Sequence, residues 1–276
     1  MADGQGRDDR QQVTAWRPRV PGVTEVFHAR FTEYAYPMHV HEAWTLLIVD
    51  DGAVRYDLHR HRRGTPHGTV TLLPPHVPHN GSSATPGGFR KRVLYLDGTV
   101  LSEELIPAAV DGPDLRDPLL RRRVAQVHAA LAHPGDELAA ESLLALVGER
   151  LRARLRQRAA EAAGAGAGHR SPVLAGRLRE LLDARVTDGI TLAEASALLQ
   201  AHPAHLVRAF SGAYGIAPHR YLTCRRIDRA RRLLLEGCSP GDTAAAAGFY
   251  DQAHLTRHFR KLVGVTPGRY AAGRHG

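Results

Sequence analysis

The sequence contains little cysteine and no long apolar run. Its two cysteines, Cys224 and Cys238, match no metal-binding spacing and no disulfide framework, so we expect two reduced thiols. No apolar stretch approaches the roughly 20 residues that a membrane-spanning helix needs. The polar, acidic first ten residues do not resemble a secretion signal. These absences argue against a secreted or membrane-spanning protein and predict a cytoplasmic one.

Common catalytic signatures are also missing. The sequence has no nucleophile elbow, no phosphate-binding glycine loop and no evident pair of catalytic carboxylates. We therefore predict that the protein is not an enzyme and that it carries no cofactor.

Positive charge is concentrated in the last third of the chain. Residues 171–276 hold 15 Arg or Lys against 8 Asp or Glu, a net charge of +7, whereas residues 1–170 hold 22 against 20. Nearly all of these basic residues are arginines, which favour bidentate contacts to phosphate and guanine. A biased genome would account for the abundance of arginine, but not for its localisation. The distribution predicts a nucleic-acid-binding domain at the carboxyl end.

A repeated segment lies in this basic region. Residues 205–221 read HLVRAFSGAYGIAPHRY, and residues 254–270, 49 positions later, read HLTRHFRKLVGVTPGRY, with eight identical positions. In a helix, Leu206 and Phe210 share one face while Arg208 points to the other. Each copy therefore predicts a short helix that packs by one side and presents arginine on the other.

A second, capped helix is predicted before each copy. Thr191 and Glu194 form a capping box, and Ser239 opens an alanine run in the same way. Two consecutive helix-turn-helix units are predicted, joined by a longer helix over 218–236. The arginines of this connecting helix are predicted to be displayed on its surface, and they are Arg225, Arg226, Arg229, Arg231 and Arg232.

These motifs resemble those of the AraC family of bacterial transcription regulators. The resemblance covers residues 171–276 and is carried by Gly248-Phe249, Phe259, Gly264, Thr266-Pro267 and Tyr270. Two positions depart from the family pattern: Thr243 stands where isoleucine is usual, and His202 begins a helix where serine is usual. The resemblance implies a tandem helix-turn-helix domain that binds double-stranded DNA.

The residues predicted to contact DNA lie at matched positions of the two repeated helices. The predicted base-reading set is Ala204, Val207, Arg208, Gln252, Ala253, Thr256 and Arg257, where Gln252 is added by the family resemblance. His205 is predicted to contact DNA at a phosphate or to pack beside the turn. Arg226 and Arg260 are predicted to contact phosphates.

Short apolar strands separated by turn residues dominate residues 24–96. Strands are predicted at 45–49, 53–58, 69–73 and 92–96, with a turn at 50–52 between the first two. This pattern is typical of a sandwich or small barrel. It resembles the cupin-type sensor barrel of many AraC-type regulators. The fold class is therefore α+β with two domains, a cupin-like β-barrel with trailing helices and an all-α double helix-turn-helix.

Histidines carry the resemblance to cupins. His39, His41 and His79 match the histidines of metal-binding cupins, but Glu42 comes too early for the glutamate of that pattern. Three imidazoles can bind zinc, yet they can equally hydrogen-bond an effector or one another. We predict an effector site at His39, His41, Glu42, Trp44 and His79, with no metal. The three histidines remain the alternative metal set, and Glu42 is either a polar ligand or a salt-bridge partner.

Four segments are predicted along the chain: a disordered tail at 1–22, the sensor domain at 23–158, a small-residue linker at 159–171 and the DNA-binding domain at 172–276. Helices are predicted at 118–132 and 137–158. The leucine stripe of the second helix is expected to pack on the barrel or on a second subunit.

Three functions use these features to different extents. A ligand-responsive transcription factor uses both domains, whereas a constitutive architectural DNA-binding protein has no need of the sensor. A metal-dependent cupin enzyme, or a metal sensor, fused to a DNA-binding domain is the alternative. We predict the first. Its expected partners are DNA, a small-molecule effector of unknown identity and RNA polymerase, and we expect it to act as an activator and a homodimer away from the membrane.

Overall fold

A computed structural model of the chain describes residues 11–58, 61–65, 68–163 and 173–273. Most of the predicted linker and the first ten residues lie outside these ranges. The described residues form a β-rich unit covered by helices, up to residue 163, and an all-helical unit from residue 173. This arrangement confirms the predicted α+β fold of two domains.

Two antiparallel sheets form the first unit, which we call the barrel domain. Its strands are β1 (Gln11–Trp16), β2 (Val23–Phe31), β3 (Ala35–His39), β4 (Trp44–Gly52), β5 (Val54–Leu58), β6 (His61–Thr65), β7 (Val70–Leu73), β8 (His79–Ser83), β9 (Phe89–Leu96) and β10 (Asp114–Leu115). The larger sheet has the order β1-β2-β9-β4-β7-β10, and the smaller one has the order β3-β8-β5-β6.

Successive side chains of the central strands point to opposite faces of the larger sheet and so contribute to two separate apolar layers. In β4, Trp44, Leu46 and Ile48 belong to a layer on the outer face of the larger sheet, whereas Leu47 and Val49 belong to the barrel interior. All five are buried, because both faces of the sheet are covered. This double coverage explains why the strand reads as a continuous apolar run rather than as an alternating one.

Three helices cover the outer face: α1 (Ile106–Asp111), α2 (Pro118–Leu131) and α3 (Glu137–Ala163). The leucine stripe of α3 completes this layer, since Leu144, Leu151 and Leu155 are at most 5% exposed within the chain's own core. Of the two predicted partners for this stripe, the barrel domain is the correct one. The buried stripe is therefore not free to pair with a second subunit.

The second unit, which we call the reader domain, consists of seven helices: α4 (Val173–Ala184), α5 (Leu192–Leu199), α6 (Pro203–Tyr214), α7 (Pro218–Glu236), α8 (Pro240–Ala246), α9 (Gln252–Val263) and α10 (Pro267–Ala272). The pairs α5–α6 and α8–α9 are the two predicted helix-turn-helix units, and α7 connects them. No helix in the described ranges is long and apolar enough to cross a membrane.

The helix starts follow the predicted capping chemistry. Thr191 and Glu194 form the reciprocal capping box of α5, and the Asp251 carboxylate accepts a hydrogen bond from the backbone N–H of His254. His202 does cap α6, through Nδ1, which accepts from the backbone N–H of Ala204 at 3.2 Å. Thr243 is fully buried in α8 and its hydroxyl has no hydrogen-bond partner, as expected for a polar residue at a core position.

Two local predictions were wrong. The predicted disordered tail includes β1, whose residues pair with β2 from Gln11 to Trp16. The segment 50–52 is not a hairpin turn, because β4 continues to Gly52 in the larger sheet and β5 belongs to the smaller one. The chain instead crosses between sheets at Gly52, whose φ of 70° is the left-handed conformation that glycine adopts without strain.

We expect Leu151→Ala to lower the free energy of unfolding by about 2 to 5 kcal/mol, because it leaves a cavity between α3 and the larger sheet. Leu138→Ala is the matched control on the same helix; Leu138 is 76% exposed, so its loss should change stability by less than about 0.5 kcal/mol. Urea denaturation of the two variants measures both values. Equal effects would show that the stripe does not support the barrel domain.

Candidate effector cavity and DNA-reading surface

Three histidines meet inside the barrel domain. His39 ends β3 and His79 begins β8, and the two residues are direct partners across these strands. The ring centroids of His39 and His79 lie 4.4 Å apart, and that of His41 lies 4.9 and 5.3 Å from them. One side-chain nitrogen of each residue lies within 4.8 Å of those of the other two. Strand pairing thus brings together residues 40 positions apart in the sequence.

The hydrogen bonds of the three rings define their free nitrogens. Nδ1 of His39 and of His79 lies 2.7 and 3.0 Å from the backbone carbonyl oxygen two residues earlier. Nδ1 of His41 lies 3.2 Å from a carboxylate oxygen of Asp228. The carbonyl oxygens of Pro37 and Val77 can only accept, so Nδ1 of His39 and of His79 carries the proton of a neutral imidazole and Nε2 keeps a lone pair. Nδ1 of His41 also lies 3.5 Å from Nη1 of Arg231, a donor, but the Asp228 oxygen is nearer and favours the same tautomer.

Burial keeps these rings neutral. It lowers the pKa of His39 well below its ordinary value, and the neighbouring His79 lowers it further. Burial also lowers the pKa of His41, assisted by the positive charge of Arg231, and it lowers the pKa of His79 to about 4. The barrel interior therefore offers three imidazole lone pairs at neutral pH.

The histidines line a small cavity of about 50 Å³. By the usual measure of about 10 to 15 Å³ for one water, this volume holds a few water-sized groups. The hydroxyls of Tyr36 and Thr45 also belong to the lining, and both are buried without a hydrogen-bond partner. Buried polar atoms without partners are costly, so the cavity is built for a polar occupant.

Lys91 and Arg231 are both cations in the lining of the cavity, and Lys91 belongs to the barrel domain. Its Nζ lies 4.2 Å from the ring centroid of Tyr36, and none of the described carboxylates forms a salt bridge with it. Burial lowers the pKa of Lys91 to about 7, and the charge of Arg231 contributes. It is one of only two lysines in an arginine-rich chain, and this rarity is the one feature of the sequence that distinguishes it.

The histidine set fits a metal ion only in part. Three convergent imidazoles with engaged Nδ1 atoms match the usual arrangement of zinc-binding histidines. The glutamate of the metal-binding pattern is absent, because Thr45 stands in that neighbourhood; it lines the same cavity, and its buried hydroxyl has no hydrogen-bond partner. The donor set is therefore that of a three-histidine site with an open position.

The reader domain closes this cavity. Arg231 of α7 and Leu262 and Val263 of α9 contribute to its lining. One hydrophobic cluster runs without interruption from the barrel interior into the reader domain. The predicted effector site is therefore a composite of both domains rather than an interior feature of the barrel alone.

A buried ion pair holds the two domains together. The guanidinium of Arg231 donates to Glu25 of β2 at 2.6 Å, and the hydroxyl of Tyr270 donates to the same carboxylate oxygen at 2.5 Å. The guanidinium also lies 4.3 Å from the ring centroid of Tyr95. Arg231 is 4% exposed, so the pair is almost fully removed from water.

A second interdomain group lies at the edge of the cavity. Asp228 of α7 accepts from the backbone N–H of Glu42 at 2.9 Å, besides its contact with His41. The Glu42 side chain forms ion pairs with Arg225 at 3.1 Å and with Arg232 at 3.6 Å. Of the two roles predicted for Glu42, the structure shows the salt-bridge partner, and Glu42 does not line the histidine cavity.

Trp44 was wrongly assigned to the effector site. Its ring lies in the outer layer between the larger sheet and the helices, where Nε1 donates to the carbonyl oxygen of Leu101 at 2.8 Å. The next residue, Thr45, reaches the cavity instead. The period of two along a strand sends neighbouring residues to opposite faces.

The two repeated helices expose the predicted base-reading residues. In α6, Leu206 and Phe210 are fully buried while His205 and Arg208 are exposed. In α9, Leu255 and Phe259 are equally buried, and the exposed face is formed by Gln252, Ala253 and Arg257. Ala204, Val207 and Thr256 are partly exposed on the same helices. The structure thus leaves the predicted set accessible at both units.

Several arginines of α7 are engaged rather than displayed. Arg231 and Arg225 pair with acidic residues of the barrel domain, as described above. Arg226, predicted to contact phosphate, donates through Nε to the carbonyl oxygen of Val186 at 2.7 Å, after the end of α4. Arg260, the other predicted phosphate contact, is exposed on α9. Much of the positive charge of the connecting helix is therefore used in contacts within the chain and is not available to DNA.

Known families match both domains. Residues 21–147 match the family of AraC-like ligand binding domains, and residues 195–273 match a helix-turn-helix domain family. The chain belongs to the AraC family of transcriptional regulators. The resemblance stated from the sequence motifs is confirmed.

Individual relatives of this AraC-family chain match over about a quarter of its length. It is 38% identical over 76 residues to the uncharacterized HTH-type transcriptional regulator YbfI of Bacillus subtilis, and 38% identical over 66 residues to the HTH-type transcriptional regulator ExsA of Pseudomonas aeruginosa. These matches span only 28% and 24% of the relatives' lengths. The crystal structure of ToxT from Vibrio cholerae shares the fold, with a TM-score of 0.56 at 12% identity over 96% of this chain and 98% of ToxT.

Sequence reasoning missed the residues that join the two domains of this AraC-family protein. Glu25 is an acidic residue in an apolar strand, and Asp228 is the one acid within the arginine-rich connecting helix before Glu236. Such isolated charges are signals of a buried pair. The sequence does not reveal the partners, because Glu25 and Arg231 are 206 positions apart.

We expect Arg231→Met to lower the free energy of unfolding by about 3 to 5 kcal/mol, because it leaves the Glu25 carboxylate buried without its cation. The double variant Glu25→Gln with Arg231→Met should recover most of this loss, since no uncompensated charge remains. Arg17→Met is the control: it also breaks an interdomain pair, with Glu236, but both side chains are about half exposed. That loss should be within about 1 kcal/mol. Additive single effects in urea denaturation would contradict the role of the buried pair.

Proposed function

We propose that this protein is a sequence-specific DNA-binding transcriptional regulator whose DNA binding responds to a small effector in the barrel cavity. The observation that carries the proposal is the composite lining of the cavity. An occupant that contacts His39 and His79 also contacts Arg231 and Val263, which belong to the two helices α7 and α9 of the reader domain.

A ligand shifts an equilibrium only by its differential affinity for two arrangements. Here the two arrangements are the docked domains and a separated or rotated pair. A ligand within the cavity gains contacts from α7 and α9 only when the domains are docked, so its binding free energy depends directly on the arrangement. No force needs to pass through the segment that connects the domains. Direct contact between the barrel domain and the reader domain is the route of coupling in this proposal.

The size of the cavity restricts the effector. ToxT has been solved with an unsaturated fatty acid bound, but about 50 Å³ holds only a few water-sized groups in this chain. A cleft of about 310 Å³ lies next to the cavity, between the domains, and shares His41, Tyr95 and Arg231 with it. An effector larger than a few atoms would need this cleft or a partial separation of the domains. The docked arrangement therefore suits a very small polar ligand.

The partners of the regulator follow from the same proposal. It would act in the cytoplasm on double-stranded DNA, as an activator through contact with RNA polymerase. Among the relatives, VirF of Yersinia enterocolitica is named a transcriptional activator. A homodimer remains part of the proposal, but it would use a surface other than the leucine stripe of α3, such as the helix face that carries the exposed Leu138 and Leu146.

We expect one full-length chain to protect roughly 20 base pairs of DNA, because two reading helices joined by one rigid helix would enter successive major-groove segments about 34 Å apart. The protected sequence should have no internal palindrome, since the exposed residues of α6 and α9 differ. Selection of bound sequences followed by footprinting measures the length and the symmetry of the site. Protection of a single half-turn would show that only one unit reads DNA.

Arg208→Ala and Arg257→Ala should each weaken specific binding by about 1 to 3 kcal/mol and relax the preference at one base position, if each arginine reads a guanine. Arg260→Ala, on the same helix as Arg257, should weaken binding to all sequences alike and reduce its salt dependence. Titrations against the selected site and a scrambled site, at several salt concentrations, separate these outcomes. An equal loss on both sites for Arg208→Ala and Arg257→Ala would contradict base reading.

A further inference from the structure

The polar groups of the cavity divide into two sets. His39, His41 and His79 present lone pairs, because each Nδ1 is bound to an oxygen acceptor. Tyr36 and Thr45 present hydroxyls that have no partner. A cluster of three lone pairs cannot bind an anion, since it has no hydrogen to donate, but it matches the ligand preference of a divalent transition-metal ion. The hydroxyls are suited to hydrogen-bond the water or anion that would complete the coordination.

The geometry within the triad agrees with one shared ion. Two imidazole nitrogens bound to the same zinc ion at about 2.0 to 2.1 Å lie roughly 3 to 4 Å apart. One ring nitrogen of each residue already lies within 4.8 Å of those of the other two. His39 and His79 are direct partners on paired strands, and His41 follows two residues after the end of β3. The cavity of about 50 Å³ has room for an ion with one or two water molecules.

One of these histidines is positioned by the other domain. His39 and His79 use backbone carbonyls of the barrel domain to fix their rings, whereas His41 uses the carboxylate of Asp228 on α7. A carboxylate that accepts from a metal-bound imidazole orients the ring and raises its basicity. Asp228 is held in place by the backbone N–H of Glu42 at 2.9 Å. The third ligand is therefore complete only while α7 is docked.

We propose that His39, His41 and His79 bind a divalent transition-metal ion of the zinc class, and that Asp228 links the occupancy of this site to the docking of the reader domain. The proposal rests on the effector-responsive regulation proposed above and gives the effector a chemical class. Asp228 acts as a positioning residue, through His41, and does not contact the ion. Because linkage is reciprocal, a metal ion that favours the docked domains is itself bound more tightly by them.

Lys91 faces the same cavity and opposes a cation. No described carboxylate pairs with it, so an anion that binds there is the competing occupant. The two occupants are distinguished by their probes, because zinc binding depends on the histidines whereas anion binding depends on Lys91. Lys91→Met should leave zinc affinity unchanged or increase it.

The test is a zinc titration of the metal-free, full-length protein, followed by calorimetry. We expect one Zn²⁺ per chain, no binding of Mg²⁺, and at least a 100-fold loss of zinc affinity in His79→Gln. His205→Gln, on the exposed face of α6, is the control that should retain wild-type affinity. Circular dichroism of the metal-free variants establishes that each is folded. Wild-type protein that binds no zinc, but binds acetate in a Lys91-dependent way, would overturn the metal site in favour of an anion site.

Asp228→Asn tests the link between the domains. It should lower zinc affinity about 10- to 100-fold and change the visible spectrum of the Co²⁺-substituted protein, which reports on the ligands. Glu42→Gln is the matched control, because it weakens two ion pairs of the same interface without touching a histidine side chain. It should retain both the affinity and the spectrum. Equal losses in the two variants, or none in Asp228→Asn, would overturn the positioning role.

The effect of Zn²⁺ on DNA affinity completes the test. Zinc should change the affinity of the wild-type protein for its selected site severalfold, and Asp228→Asn should reduce this change. Zinc binding without any effect on DNA binding would overturn the link while leaving the site intact. Absence of sequence-specific DNA binding under all conditions would instead refute the proposed function, and the zinc titration would still decide the metal site.

Discussion

The burial of one ion pair organises the whole molecule. Arg231 carries its charge into the mouth of the barrel, where it is 4% exposed, and this is tolerable only because Glu25, Tyr270 and the ring of Tyr95 surround it. A pair of this kind contributes little net stability, but it strongly penalises any arrangement that separates its members. The pair thereby favours one mutual orientation of the two domains, and that orientation closes the histidine cavity.

The connecting helix α7 combines tasks that are usually divided among several elements. It joins the two helix-turn-helix units, supplies the guanidinium that closes the cavity, and presents Asp228 to His41. The reading helix α9 also takes part, since its last turn forms part of the cavity wall and the hydroxyl of Tyr34 donates to the carbonyl oxygen of Lys261 at 2.7 Å. The histidine cavity and the helix α9 are therefore in contact through single side chains.

Features set by local pattern could be predicted from the sequence. The capping box at Thr191 and the buried faces of α6 and α9 follow from spacing along a helix. Trp44 was misplaced because an apolar run gives no signal of which face each residue takes when both faces of a sheet are buried. The role of Arg231 could not be derived, since a surface arginine and a buried one look alike until the partner, 206 positions away, is known. His39 and His79 were found because their residue type, rather than their contacts, marked them.

The separation of Glu25 and Arg231 along the chain has a consequence for the newly made protein. Domains generally fold in the order in which the ribosome delivers them, so the strands of the barrel are complete well before α7 emerges. During that interval Glu25 remains hydrated, and the three histidines face open solvent rather than an enclosed cavity. An ion or small molecule could then enter without displacing the reader domain, and the docking of α7 would enclose it. Entry of a ligand into the barrel during synthesis would therefore be much faster than its exchange in the mature protein, where the reader domain covers the cavity.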